Sequence, residues 1–389
     1  MKKVKLGELG EIYTGNTPSK KNKEFYNSND IMFIKPDILD FDINMIAESN
    51  EYISEKARDK ARIVPKNSLL VSCIGNIGKL GINEKETAFN QQINAIVHNE
   101  KIVSSKYLAY LLKYNQKKLE SIANAPVVPI INKTQFSDFE VLIHKNIEIQ
   151  NKIVEVLDKA QDLIDKKIEQ IDLLDELVKS RFIEMFGNPI SNPKGWKKMT
   201  LNDISMKKGE YGSGESAVEY KENYPRYIRI TDIDDNGKLN NSKMTVNNLD
   251  EYEKYKLNDG DILLARTGAT VGKTFLYKEV YGKCLFAGYL IRFIPNKDII
   301  NPEFLFAFTK TDFYKSWIKS KQNVVAQPNI NAKQYGSLEI PIPPIELQNE
   351  FAVFVEKIDS IKAAAEKSLE QLNYNFNSLM QKAFKGELF

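Results

Sequence analysis

The sequence is poor in the residues that build disulfide, zinc and membrane sites. Its 389 residues hold 2 cysteines and 2 histidines, too few for a disulfide framework or for a zinc site at metal-ligand spacing. No uncharged apolar run approaches the ~18 residues that cross a bilayer, and residues 1–6 lack the apolar stretch of a secretion signal. These absences predict a cytoplasmic protein with no membrane partner, no metal site and no redox chemistry.

The composition is that of an ordinary soluble globular protein. Hydrophobic residues make up 42% and charged residues 28% of the chain, which excludes extensive disorder. The length exceeds twice the ~150 residues of a typical domain, so two domains or an internal duplication are expected.

The sequence contains an internal repeat. Ile-Glu-Ile-Gln-Asn at 147–151 recurs as Ile-Glu-Leu-Gln-Asn at 345–349, an offset of 198 residues. Residues 107–113 match 304–310 and residues 68–75 match 261–268 at nearly the same offset. Each half therefore consists of a globular segment of ~145 residues and a following segment of ~40 residues. The predicted boundaries are 1–145, 146–187, 188–344 and 345–389.

The shorter segments are predicted to be long helices with a coiled-coil seam. Apolar residues alternate in steps of three and four from Leu157 to Met185, Asn146 can cap the start, and Gly187 can end the helix. A helix from Ile147 to Phe186 would be ~60 Å long. The second copy carries a matching stripe, and the two seams are expected to pack against each other. That stripe comprises Leu347, Phe351, Phe354, Ile358, Ile361, Ala365, Leu372, Phe376 and Leu379.

The globular segments are predicted to mix strands and helices. Strand-like runs at 31–35, 68–74, 226–230, 261–265 and 289–294 are separated by Gly, Asn and Pro turns. Residues 107–115 and 302–320 have helical patterns.

Dividing the charge by segment separates basic from acidic regions. The helical segments hold ten acidic and six basic side chains (146–186) and seven acidic and five basic (345–389). The globular segments retain 44 basic and 35 acidic side chains, a net charge of +9. A polyanionic partner for the globular segments follows as a hypothesis, with an ordinary solvated surface as the alternative.

Three segments resemble known catalytic motifs but lack the spacing or the residues that those motifs require. Gly268 and Gly272, followed by Lys273 and Thr274, enclose three residues, one fewer than a phosphate-binding loop requires. The Ile-Pro-Pro-Ile run at 342–345 lacks the polar acceptor and the aromatic of an amino-methyltransferase motif, and predicts a strand end and helix start. Asp37 and its copy Asp232 are read as a repeated fold position rather than as nuclease carboxylates.

Candidate DNA-binding residues fall in both globular segments. Amides can pair bidentately with adenine and guanidinium groups with guanine, whereas lysines suit phosphates. In the first segment the candidates are Lys20, Lys21, Lys23, Asn76, Lys79, Asn90, Gln91 and Gln92. In the second they are Tyr211, Ser213, Arg229, Arg266, Thr267, Lys273, Lys319, Lys321 and Gln322.

These features together resemble one family, the specificity subunit of type I restriction-modification systems. The resemblance rests on two globular segments, a strand ending in a Gly-Lys turn in each, and the run Ile-Pro-Ile-Pro-Pro-Ile-Glu-Leu-Gln-Asn-Glu at 340–350 before the second helix. It covers essentially the whole chain. The first copy departs from it, with Ile-His-Lys-Asn-Ile at 143–147 where the family usually has prolines.

The resemblance implies an α+β fold. Two tandem, similar α/β target recognition domains would be separated by two long antiparallel coiled-coil helices, related by a pseudo-two-fold internal repeat. Each domain would read one half of a bipartite sequence in double-stranded DNA, and the helices would act as a ruler for the spacer.

The resemblance also implies that the chain is not an enzyme and binds no cofactor of its own. Two methyltransferase (modification) subunits would carry S-adenosylmethionine and methylate adenine, and a restriction/translocase subunit would use ATP and Mg²⁺. Two alternatives stay open: a nucleotide hydrolase built on Gly272, Lys273 and Thr274, and a coiled-coil adaptor that binds only proteins.

Overall fold

Two units share the chain, and each combines a stretch of mixed α and β structure with parts of both long helices. The computed structural model describes residues 1–124, 128–322 and 329–389. Unit 1 comprises residues 1–168 and 368–389, and unit 2 comprises residues 169–367. Residues of each predicted helical segment thus belong to both units. The four predicted segments, 1–145, 146–187, 188–344 and 345–389, stay predictions.

Unit 1 contains eleven strands among its described residues. They are β1 (Lys2–Lys5), β2 (Gly10–Thr14), β3 (Ile31–Ile34), β4 (Asn44–Ile46), β5 (Tyr52–Ile53), β6 (Ile63–Val64), β7 (Leu69–Ser72), β8 (Leu80–Asn83), β9 (Thr87–Phe89), β10 (Ile93–His98) and β11 (Glu140–Ile143). Its α-helices are α1 (Ser105–Tyr114), α2 (Gln116–Ser121), α3 (Lys133–Asp138), the first part of α4 (Ile147–Phe186) and the last part of α9 (Ile345–Lys385).

The strands of unit 1 form two sheets and a ribbon. The larger sheet has the order β2-β10-β7-β8-β4, and the smaller has the order β5-β3-β9-β6 with β3 and β9 parallel. The ribbon pairs β1 with β11, so that the first and last strands of this globular stretch lie together just before α4.

Unit 2 contains ten strands among its described residues. They are β12 (Lys197–Thr200), β13 (Glu210–Tyr211), β14 (Val218–Glu219), β15 (Arg226–Ile228), β16 (Met244–Thr245), β17 (Ile262–Ala265), β18 (Thr274–Leu276), β19 (Cys284–Phe286), β20 (Leu290–Phe293) and β21 (Glu339–Ile342). Its α-helices are the last part of α4, α5 (Asp250–Tyr255), α6 (Pro302–Phe308), α7 (Asp312–Gln322), α8 (Ala332–Gly336) and the first part of α9.

The strand order of unit 2 repeats that of unit 1. The sheet β13-β20-β17-β18 corresponds to β2-β10-β7-β8, and the parallel pair β15-β19 corresponds to β3-β9. The ribbon β12-β21 corresponds to β1-β11. This shared topology confirms the internal repeat of an α+β fold that the sequence predicts.

The repeated Gln of the two Ile-Glu-Ile/Leu-Gln-Asn segments joins each long helix to its globular stretch. Gln150 is fully buried, and its amide donates hydrogen bonds to the carbonyls of Ile102 (2.9 Å) and His144 (2.8 Å). Gln348 does the same with the carbonyls of Ile299 (3.2 Å) and Pro343 (2.8 Å). The predicted Asn146 cap is present as well, since its side chain accepts from the Glu148 amide at 2.7 Å.

In unit 2 the two long helices run antiparallel against each other. Asp175 of α4 forms an ion pair with Lys362 of α9. About two turns further along α4, the Phe182 ring packs against Phe351, which lies earlier in α9, with 5.7 Å between ring centroids. In unit 1 the start of α4 and the end of α9 contribute side chains to one core, which contains Ile153 and Leu157 of α4. The α9 side chains in that core are Phe376, Met380, Ala383 and Phe384.

One position of the predicted α9 stripe is wrong. Ile361 is 49% exposed, and the neighbouring Lys362 occupies the buried position with 7% exposure. Lys362 reaches Asp175, and a buried amine with a carboxylate partner can take a place that an apolar residue would otherwise fill. Hydrophobicity alone could not locate that substitution.

The single helix predicted over residues 302–320 is also wrong, because the structure has α6 and α7 with a break between them. The hydroxyl of Thr309 donates to the Phe306 carbonyl at 2.6 Å, and the hydroxyl of Thr311 donates to the Phe308 carbonyl at 2.7 Å. Such hydroxyls compete with the backbone for hydrogen bonds and interrupt a helix. None of the helices in the described ranges has the length and apolarity of a membrane span.

Replacing Gln150 by Ala should lower the free energy of unfolding by about 1–3 kcal/mol, because the Ile102 and His144 carbonyls lose their donor. Gln371→Ala is the matched control, since Gln371 lies exposed on α9 in the same unit. Urea unfolding followed by circular dichroism measures both variants. Equal loss for the two would contradict the proposed anchoring.

Candidate nucleic-acid interface

The ends of three strands meet at one edge of the larger sheet in each unit. In unit 1, Thr14 at the end of β2 pairs with Asn94 of β10. Ile93, the residue before Asn94, pairs with Ser72 at the end of β7. Gly15 follows Thr14 in the chain. A Cβ atom at Gly15 would lie 2.2 Å from the Asn90 carbonyl oxygen, so that only glycine fits.

The same edge exists in unit 2 with the same register. Tyr211 of β13 pairs with Ile291 of β20, and Leu290 pairs with Ala265 of β17. Gly212 follows Tyr211, and a Cβ there would lie 2.3 Å from the Phe286 carbonyl oxygen. Thr14 and Tyr211 are therefore equivalent positions of the repeat.

The backbone hydrogen bonds at this edge are repeated too. The Cys73 amide donates to the Gln92 carbonyl (2.8 Å), and the Arg266 amide donates to the Tyr289 carbonyl (3.0 Å). The carbonyl of Cys73 accepts from Ile131 (2.9 Å), as the carbonyl of Arg266 accepts from Ile330 (2.9 Å). Cys73 is thus equivalent to Arg266, and Gln92 to Tyr289.

A glycine turn follows each of the central strands. Gly75 (φ 76°) and Gly268 (φ 67°) both have left-handed backbones, and a Cβ at either would meet open space. Asn76 lies exposed on the first turn, and Thr267 lies half-buried at the start of the second. The edge is therefore built from the three strand ends, this turn and a further residue that bonds to it, Ile131 in unit 1 and Ile330 in unit 2.

In unit 1 the candidate amides differ in what they can offer a ligand. Gln91 is exposed and accepts a hydrogen bond from the Thr17 hydroxyl at 2.9 Å, so its amide nitrogen remains available as a donor. Asn90 is buried, 7% exposed, and its side chain bonds the amide and side chain of Gln92. Asn90 therefore shapes the loop in this structure, and a DNA contact by Asn90, Gln91 or Gln92 stays a prediction.

Two candidates in unit 2 are also engaged inside the protein. Ser213 is 1% exposed, and its hydroxyl donates to Glu251 at 2.6 Å. Arg229 forms a two-pronged pair with Asp232 at 3.0 and 2.7 Å, and that carboxylate is itself buried. This pairing raises the pKa of Arg229 above its ordinary value. Both residues stay predictions for DNA contacts, but these side chains already form hydrogen bonds inside the unit.

Arg266 and Tyr211, by contrast, face each other at the edge of unit 2. The centre of the Arg266 guanidinium lies 4.8 Å from the centroid of the Tyr211 ring. Tyr211 is 41% exposed, and Tyr289 beside them is 60% exposed. A guanidinium held on an aromatic face at a solvent-accessible edge is suited to bind planar or anionic groups.

The lysine that follows each glycine turn is in contact with its own unit. Lys273 pairs with Asp235 at 3.0 Å and donates to the Ile233 carbonyl at 3.2 Å. Lys79 lies over the Phe41 ring, with 5.7 Å from the amine to the ring centroid, and stays half-buried. Lys79 makes no ion pair with the described residues, whereas Lys273 would have to leave Asp235 before it could bind a phosphate.

The nucleotide hydrolase alternative is contradicted by the structure around Lys273. In a phosphate-binding loop the Lys-Ser/Thr pair opens a helix, whereas Thr274 opens strand β18. Thr274 is 1% exposed, and its hydroxyl contacts that of Thr309 at 2.7 Å. Lys310 donates to the same hydroxyl at 3.0 Å, and burial lowers the pKa of Lys310 to about 8. No space for a triphosphate or its magnesium ion is left at this threonine.

The remaining basic candidates lie on exposed segments. Lys20, Lys21 and Lys23 are exposed and make no ion pair or hydrogen bond with residues in the described ranges. Lys319 is exposed near the end of α7, Lys321 lies over the Trp317 ring (5.5 Å to its centroid), and Gln322 ends that helix. These residues remain predictions for phosphate contacts.

Sequence reasoning missed Thr17 and Tyr289. Thr17 orients Gln91, and Tyr289 sits at the position of Gln92 in the repeat. Aligning the two halves through their central strands would have indicated Tyr289, because its offset from Gln92 is 197 residues. Nothing in the sequence connects Thr17 with Gln91, since 74 residues separate them. The described residues include no cluster of three or more potential metal ligands.

Comparison with known proteins places this architecture in context. A family model described as "Type I restriction modification DNA specificity domain" matches residues 1–173 and 193–374. The MjaIX type I restriction enzyme specificity subunit of Methanocaldococcus jannaschii is 24% identical, over 99% of this chain and 92% of that protein. The Escherichia coli EcoDI specificity subunit is 22% identical, over 100% of this chain and 88% of that protein.

Solved structures share the fold. A structure described by the assembly and conformational transition of the type I R-M system matches with a TM-score of 0.61 at 15% identity, covering 100% of this chain and 98% of that one. The S subunit of a type I restriction-modification system from M. genitalium matches with a TM-score of 0.56 at 16% identity, covering 98% and 96%.

The cysteine at the edge of unit 1 should be unreactive in the folded protein. Burial raises the pKa of Cys73 to about 12 and that of Cys284 to about 11, and the thiolate is the reactive form. Ellman's reagent at pH 8 should therefore react with both thiols at least about 100-fold more slowly in native protein than in guanidinium chloride. Rapid reaction of one thiol in native buffer would show that its site opens.

Proposed function

Because the chain belongs to the type I restriction-modification DNA specificity family, we propose that it is the specificity subunit of a type I restriction-modification complex. Each unit binds one half of a bipartite sequence in double-stranded DNA through the sheet edge described above. The chain directs adenine methylation or DNA cleavage that other subunits perform.

One observation carries this proposal: the same backbone edge appears in both units with different side chains. Where unit 1 has Thr14, Cys73 and Gln92, unit 2 has Tyr211, Arg266 and Tyr289. A shared scaffold contacts the DNA backbone in a similar way in both halves, while different side chains read different bases. Such a protein recognises two unlike half-sites rather than a palindrome.

The charge of the chain supports a DNA partner for the globular stretches. Their net charge is +9, and the exposed Lys20, Lys21 and Lys23 are free to neutralise phosphates. Binding should therefore weaken steeply as the salt concentration rises.

The long helices supply surfaces for partner subunits. In unit 2, Leu173 (60% exposed), Leu177 (45%) and Val353 (51%) present apolar side chains on acidic helices. We assign these helices to the docking of two modification subunits, which carry S-adenosylmethionine, and of a restriction subunit that uses ATP and Mg²⁺. The catalytic chemistry then resides in those chains, and this chain binds no cofactor of its own.

The same helices set the spacer between the half-sites. Residues of α4 belong to both units, as do residues of α9, and each helix is continuous from end to end. A continuous helix transmits a fixed length of 1.5 Å per residue. The number of residues in the helices therefore determines the spacer that the complex accepts.

Shortening α4 by one heptad, with the paired heptad removed from α9, should change the spacer. The deletion removes about 10.5 Å of helix, close to three base pairs of DNA at ~3.4 Å each. Methylated adenines in host genomes that carry the wild-type or shortened gene, mapped by single-molecule sequencing, should show intact half-sites with a shorter spacer, or no methylation. Methylation with the original spacer would contradict the ruler.

Exchanging residues 1–145 for the corresponding segment of another family member should change one half-site and leave the other as it was. The reason is that the reading edge of each unit lies within its own globular stretch. The same methylation map provides the measurement. A change in both half-sites, or binding of partner subunits without any DNA binding, would favour the protein-only adaptor instead.

A further inference from the structure

The Arg266 guanidinium is the one among the five arginines of unit 2 that has no hydrogen-bonding partner in the described ranges. Its Nε is buried without a partner, as are those of Arg181 and Arg226, but unlike theirs its terminal nitrogens make no hydrogen bond or ion pair with any described residue. The others are all engaged. Arg181 pairs with Glu184, Arg226 donates to two carbonyls, Arg229 pairs with Asp232, and Arg292 pairs with Glu210.

The group is nevertheless held in position. Both backbone polar groups of Arg266 are bonded, to Tyr289 and to Ile330. The Tyr211 ring beneath it is fixed as well, because its hydroxyl accepts from the Ala332 amide at 3.1 Å. A planar donor that is fixed before binding loses little freedom when it meets a ligand.

From this arrangement we propose that Arg266 reads a guanine in the half-site that unit 2 binds, with Tyr211 as the residue that positions it. The inference rests on the proposed function and adds to it the residue and the base. The guanidinium would donate to O6 and N7 of guanine in the major groove, the pairing that its fork geometry fits.

The repeat favours a base over a phosphate as the ligand. A phosphate looks the same in any sequence, so a phosphate contact gains nothing from differing between the two units. At the equivalent position unit 1 has Cys73, which is buried and accepts a hydrogen bond from the Asn94 amide at 3.3 Å. The guanidinium is therefore specific to one half-site, as a base-reading group must be.

The test uses the complete complex with its modification subunits, on a duplex containing the target found by methylation mapping. Each guanine of the second half-site is replaced in turn by 7-deazaguanine, which lacks the N7 acceptor. For wild-type protein, one replacement should weaken binding roughly 10- to 100-fold. In the Arg266→Ala complex the same replacement should have no further effect.

Two more variants distinguish recognition of a base by Arg266 from a general effect of losing a positive charge. Arg266→Gln should change the preferred base at that one position toward adenine, the base that a Gln amide pairs with bidentately. Lys297→Ala is the charge-matched control, since Lys297 forms only an exposed pair with Asp259 in the same unit. It should leave the response to every base replacement unchanged.

Several outcomes would overturn the inference. Uniformly weaker binding by Arg266→Ala, with a shallower salt dependence and intact base preference, would mean a phosphate contact. Normal DNA binding with loss of a partner protein would mean a protein contact. A wild-type complex that binds no bipartite sequence would instead refute the proposed function, and the inference with it. If Arg266→Ala fails to fold, Arg266→Gln decides the question.

Discussion

Burial of the apolar stripes on the two long helices is the interaction on which the rest of the structure depends. In unit 2, Phe182 of α4 lies between Phe304 (5.4 Å between centroids) and Phe351 (5.7 Å), and this cluster belongs to the same core as the sheet strands. In unit 1, Phe384 of α9 packs on Tyr107 at 5.5 Å. Helices in folded proteins gain most of their stability from such packing rather than from intrinsic helix propensity. Neither core is complete without side chains from both helices, so helix pairing and the folding of each unit are one process.

The repeat then separates what must stay constant from what can vary. Buried Gln150 and Gln348 make the same pair of carbonyl contacts, and the strand order at the reading edge is the same in both units. These contacts fix backbones, and a change in them would cost hydrogen bonds in the interior. The side chains carried by this shared backbone can differ, and one copy holds the buried Cys73 where the other holds the half-buried Arg266.

The sequence predicts the long helices better than the residues of the sheet edge. Helix ends are marked by neighbouring residues, whereas the burial of a side chain at the edge depends on residues far away in the sequence. The α4 helix is found over the predicted residues, Ile147–Phe186, since its cap at Asn146 and its stop at Gly187 are local features. The exposure of Ile361 and the burial of Lys362 depend on Asp175, 187 positions away, and no local pattern contains that information. The same limit applies to Asn90 and Ser213, whose burial is decided by the loops that fold over them. The division of the candidate residues into engaged and available ones is therefore a property of tertiary structure.

Arg229 and Arg266 show how this limit bears on recognition. As residues they are chemically identical, and both are candidates for guanine from the sequence. Arg229 lies three positions before Asp232 in a turn that brings the two together at 2.7 Å, so its Nε and one terminal nitrogen are engaged before any ligand arrives. Arg266 directly follows strand β17 beside an aromatic ring, and it forms no ion pair in the described part of the chain. Its Nε is closed to solvent, so the terminal nitrogens are the donors from which a base can accept hydrogen bonds. A group kept in this state discriminates strongly, because a base that lacks the matching acceptors leaves it unsatisfied.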